Sequence, residues 1–88
     1  MNTKLVDEFI EEIPRERRYI NGMPVCSDEV HIEMLSAMGS QMLEGTLPRV
    51  MIRDFIISYI KTDTWKYAYL FVDGEEIENE FVMEILEG

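Results

Sequence analysis

The segment DGEEIENEFVMEILEG, residues 73–88, decides the fold because it satisfies two secondary-structure patterns at once. Ile77, Phe81 and Ile85 recur every four residues, as one face of a helix requires, and Asp73 with Glu76 reads as a capping box. The same three residues, joined by Met83, also fall on alternate positions, as one face of a strand requires, and Asp73-Gly74 is a hairpin dipeptide. Glutamate is depleted from strands, which favours the helix; a turn dipeptide directly after a strand favours the hairpin. The hairpin is the reading taken. It makes the fold class α+β, three helices packed on a small, mainly antiparallel sheet, with an all-α bundle as the alternative.

The strand before that turn is WKYAYLFV, residues 65–72, aromatic and β-branched with no polar helical face. Residues 3–13 place Leu5, Val6, Phe9, Ile10 and Ile13 on one side and Asp7, Glu8, Glu11 and Glu12 on the other, until Pro14 stops the pattern, so they predict an amphipathic helix. YINGMPV, residues 19–25, predicts a small hairpin turning on Asn21-Gly22, with Pro24 confining its strand to an edge.

In residues 27–44 Ser27 reads as an N-cap, and Val30, Met34, Met38 and Met42 recur every four residues beside Leu35 and Leu43. This predicts a second helix to about Glu44, closed by Gly45. Thr46 and Pro48 then start a third, with Leu47, Val50, Met51, Phe55, Ile56, Tyr59 and Ile60 on its apolar face, making a tight helix-turn-helix pair. The chain has 88 residues, enough for one domain, residues 1–88, and no linker or repeat interrupts it.

Eighteen acidic against eight basic residues give a formal charge of −10, which disfavours direct contact with nucleic acid or with an anionic membrane surface. Acids within the first residues and the shortness of every uncharged run, FIISYI at 55–60 among them and none above ten residues, argue against a signal peptide or a membrane span. One cysteine and seven methionines suit a reducing compartment, so the expected location is cytoplasmic.

The charge is concentrated in residues 73–88, which hold seven carboxylates and no basic residue. Glu76, Glu80 and Glu84 share one side of the segment whether it is helix or strand, since four is also an even number, and Ile77, Phe81 and Ile85 anchor it beneath them. Glu8 and Glu12 repeat the spacing in the first helix. Like charges so placed weaken a helix by about 0.2–0.5 kcal/mol per pair, so stability alone does not select them. A solvated face that keeps the protein soluble is the plain reading. The sharper one takes Glu76, Glu80 and Glu84, with Glu8 and Glu12, as a partner-binding surface for a basic protein. Such a surface imitates the charge of a nucleic-acid backbone and occupies the groove of a nucleic-acid-processing enzyme, as small acidic inhibitors of phage or mobile-element type do.

No nucleophile, base and orienting group can be assembled from the sequence, so no catalytic residue, metal ligand or cofactor is assigned and a non-enzymatic role is expected. His31, on the second helix, has no second histidine to complete a metal set. Cys26, before the N-terminus of that helix, lacks a base. The rival reading is a homo-oligomeric structural or regulatory subunit, of antitoxin or immunity-protein kind. There Arg15, Arg17, Arg18, Arg49 and Arg53 meet the acids of a second copy, and Gly39-Ser40, with Ser36 and Ala37, forms a small-residue patch for a helix contact.

Overall fold

The computed structural model describes residues 1–88. Helix α1, Thr3–Glu11, is capped by Asn2, whose side-chain oxygen accepts the Lys4 N–H at 3.2 Å, and it stops short of Pro14. Strands β1, Arg18–Ile20, and β2, Met23–Val25, form a two-stranded sheet about Asn21 and Gly22, whose φ angles of 52° and 76° are those the Asn-Gly turn requires.

The expected second helix is not a helix. Residues 29–48 form an antiparallel hairpin of β3, Glu29–Ser36, and β4, Gln41–Pro48, with a β-bulge between Met34 and Leu35. The helix-turn-helix reading falls with it. Val30, Ile32 and Met34 alternate with Glu29, His31 and Glu33, and Val30 and Ile32 are buried, as one inward face of a strand requires. Met38, expected in the core, sits on the turn at 94% exposure, and Met42 is also exposed. Gly39, at φ 89°, is a turn residue with a left-handed conformation and not a break in a helix.

Helix α2, Arg49–Lys61, follows Pro48 at once and buries Ile52, Ile56, Tyr59 and Ile60. A 3₁₀ turn at Thr64–Lys66 leads into β5, Ala68–Val72. Both readings of residues 73–88 then hold in part. Asp73 and Gly74 turn the chain at φ 54° and 83° into the two-residue strand β6, Glu75–Glu76, and helix α3 runs over Asn79–Glu87.

The main sheet has the order β4-β3-β5-β6, every pair antiparallel, so the fold is α+β with three helices and two sheets. One face, carrying Val30, Ile32, Leu70 and Val72, packs under Val6 of α1, Ile52, Ile56 and Ile60 of α2, and Val82 and Ile85 of α3. Ile77 and Ile85 are buried and Phe81 packs on the same core, so the anchoring expected of the three holds. The other face carries His31, Glu33 and Phe71, and the β1–β2 hairpin lies over part of it. The Asn21 side-chain amide reaches Glu33 and Glu44 there, and Gly74 approaches the side chain of Ile20. No helix is long and apolar enough to cross a membrane.

Candidate functional site

Phe9 on α1 and Phe81 on α3 meet with ring centroids 5.8 Å apart, and the two half-buried rings form the floor of a groove. One part of it, about 170 Å³, is walled by Leu5, Glu8 and Glu12. The other, about 540 Å³, runs on past Glu12 to Phe71, Gly74, Glu75, Glu76 and Glu78. Phe9, Glu12 and Phe81 border both parts, so the two hollows adjoin along these residues. Its walls carry Glu8, Glu12, Glu75, Glu76 and Glu78 and no basic residue.

Each side chain has a local reason for its place. Along α1 and its C-cap the four-residue repeat exposes Glu8 and Glu12 on successive turns and turns Phe9 inward at the border. The Asp73-Gly74 turn reverses the chain so that Glu75 and Glu76 stand exposed on β6, where Phe71 pairs with Glu76. Ile77, whose N–H donates to the Leu70 carbonyl at 2.8 Å, fixes the exit from that strand, and Glu78 follows as the N-cap position of α3.

The structure thus brings Glu8, Glu12 and Glu76 to one groove, where the sequence offered two separate patches. Glu80 and Glu84 are exposed one turn apart on α3, outside the groove lining, so Glu76 does not share an element with them. Glu75, Glu78 and the aromatic floor were not singled out from the sequence. No local pattern links residue 9 to residue 81; only the half-apolar character of the helices at those positions hints at them.

A second polar cluster lies under the β1–β2 hairpin. His31, on β3 and fully buried, holds Glu44 through Nε2 at 2.9 Å. Because a carboxylate only accepts, Nε2 carries the proton, and the bond to His31 holds the Glu44 carboxyl below its usual range. Gln41 bridges Glu33 and Glu44 at 2.9 and 3.1 Å. His31 is therefore a strand residue inside the protein rather than a helical ligand. Cys26 is exposed and precedes a strand, so no helix terminus acts on its thiol. Ser36, Ala37, Gly39 and Ser40 belong to the end and turn of a hairpin and present no helix face.

The arginines are largely engaged within the chain. Arg18 pairs with Asp73, Arg53 with Asp7 at 2.7 Å, and Arg49 donates to the carbonyls of Ile10 and Pro14. Burial, then the nearby Arg15 and Arg18, lower the Arg49 pKa. Nowhere do three or more histidine, cysteine or acidic side chains converge closely enough to hold a metal ion.

No family model, no curated protein and no solved structure matches this chain.

Proposed function

We propose that the protein is a non-enzymatic binding protein. It engages a basic surface on a partner protein, of the kind that nucleic-acid-processing enzymes present, and acts there as an inhibitor. The observation that carries this reading is the convergence of Glu8, Glu12, Glu75, Glu76 and Glu78 from two distant parts of the chain around Phe9, Phe71 and Phe81.

Lysine and arginine bring an apolar stem and a cationic head, so an aromatic floor with a carboxylate rim offers contact to both, and a ring face attracts the cation directly. Carboxylates held on folded elements also steer a basic partner toward the groove before contact, which raises the association rate. Glu80 and Glu84 extend the acidic surface along α3.

The test uses immobilised parent protein and a Glu12→Gln/Glu76→Gln/Glu78→Gln variant, with duplex DNA as competitor. Basic proteins retained by the parent from a cell lysate should be released by the DNA, which occupies the same cationic surface, and should be lost from the variant. Retention that is indifferent both to DNA and to the three substitutions overturns the proposal.

A further inference from the structure

Strand β4 is the long free edge of the main sheet; the opposite edge, β6, has two residues and β4 has eight. The direction of its backbone groups follows from two bonds. Arg49 N–H donates to the Asp28 carbonyl and Asp73 N–H to the His31 carbonyl, both at 2.7 Å. Alternation along β3 then turns Leu43, Gly45 and Leu47 toward β3, and Glu44 and Thr46 outward with nothing to bond. Long edges are usually protected by lysine, proline or a bulge. QMLEGTLP has no basic residue, its one charge, Glu44, is held within the chain by His31 and Gln41, and its proline and bulge lie only towards its ends.

Gly45 stands in the middle of this strand without a local reason. Its φ is not positive, and an added Cβ would meet nothing within 4 Å. Mid-strand glycine often marks the close approach of another backbone. Beside it, Leu43 is 42% exposed, and Leu47, Val50, Met51 and Phe55, with Asp54, border a largely apolar notch of about 280 Å³.

We propose that the chain forms a two-fold dimer through antiparallel pairing of β4 with β4 of a second copy, Gly45 facing Gly45 across the axis. In that register Glu44 and Thr46 of the second copy exchange N–H···O bonds in both directions. Leu43 lies directly opposite Leu47 of the second copy, against its notch, so each copy supplies the knob that the other receives. The adjacent hydrogen-bonded registers are worse: centring on Glu44 opposes two carboxylates, and centring on Thr46 sets Glu44 against Pro48, which has no N–H. The acidic groove, at the β6 side of the sheet, stays open in the dimer, so this inference stands apart from the proposed function.

The experiment uses sedimentation velocity over a concentration series, and oxidative cross-linking of single-cysteine variants made on a Cys26→Ser background. The parent should move from the monomer mass to twice that mass as concentration rises, and added salt should favour the dimer, because two chains of formal charge −10 approach through a backbone and apolar contact. Paired Cα atoms about 4.5 Å apart lie within disulfide reach, so Gly45→Cys should cross-link to a covalent dimer. Leu43→Cys, displaced four residues from its own copy across the axis, should not. Leu43→Lys should remain monomeric with the circular dichroism of the parent. A parent that stays monomeric at every concentration, or equal cross-linking at positions 43 and 45, overturns the proposal even if Leu43→Lys fails to fold.

Discussion

Arg18 grips Asp73 with two hydrogen bonds, Nε to Oδ2 at 2.7 Å and Nη2 to Oδ1 at 2.6 Å, and thereby fastens the β1–β2 hairpin to the turn between β5 and β6. The side chains are only 11% and 5% exposed, and Asp73 Oδ1 also accepts the His31 N–H at 3.2 Å. The Asp73 hydrogen bond raises the Arg18 pKa, so the charge is fixed. Removing one partner of a buried pair strands the other, at a cost of about 3–5 kcal/mol. Asp73→Asn, which keeps a residue tolerant of positive φ, should lower stability by roughly 3 kcal/mol in urea unfolding. Arg18→Met/Asp73→Asn should lose less than the two single changes summed. A loss under about 0.5 kcal/mol in Asp73→Asn would mean that the pair carries no structural weight.

Glu44 gives the protein a specific acid sensitivity. Its folded-state pKa lies below the ordinary 4.5, so its bond to His31 stabilises the fold above that pH and the contribution is lost as pH falls through the folded value. Glu44→Gln should therefore be less stable than the parent at neutral pH, with the gap closing on acidification below about 4.5. Urea midpoints of both proteins against pH check this. A gap independent of pH would assign the effect to packing instead.

Gly39 and Gly45 should respond in opposite senses to alanine. Gly39, at φ 89°, strains any side chain, and Gly39→Ala should destabilise by about 1 kcal/mol or more. At Gly45 the backbone is ordinary and the space open, so Gly45→Ala should leave the monomer unchanged or stabilise it by roughly 0.5–1 kcal/mol. A helix over 28–44 would instead gain about 1 kcal/mol from Gly39→Ala. Thermal unfolding of the two variants under dilute conditions separates these outcomes.

Met38→Ala should alter stability by no more than about 0.5 kcal/mol, since the side chain is 94% exposed, while Leu70→Ala, in the centre of β5 and fully buried, should cost about 2–5 kcal/mol. Comparable losses in the two would contradict the hairpin.

Much of this fold is legible because the chain punctuates itself: Asn21-Gly22, Pro14, Pro48 and Asp73-Gly74 all end or turn elements where local chemistry says they should. The α1 pattern is equally direct, and the strand expected over 65–72 holds for Ala68–Val72, while Trp65 and Lys66 lie in the 3₁₀ turn before it. Residues 29–48 mislead for a definite reason. Val30, Met34, Met38 and Met42 are spaced by four, and four is a multiple of the strand period as well as close to the helical one, so the repeat cannot discriminate. The tighter alternation of Val30, Ile32 and Met34 against Glu29, His31 and Glu33 was the better signal, and tertiary burial on both faces of β3 blurred it by enclosing His31. In the groove the carboxylates were readable one segment at a time. Their convergence depends on Phe9 meeting Phe81 across the whole chain, which only packing can set.

The place of β3 at the centre of the sheet has a kinetic consequence. Its pairing with β4 closes through a short turn, with Leu35 opposite Gln41, whereas its pairing with β5 joins Ile32 to Val72, forty positions along the chain. Loop closure over that length must precede any reward from the contact, and α2 has to be positioned on the way. The β3–β4 hairpin and α2 are thus the parts able to form early. Capture of β5 carries the largest closure cost of the sheet pairings, and only that pairing covers the inner edge of β3 against other strands.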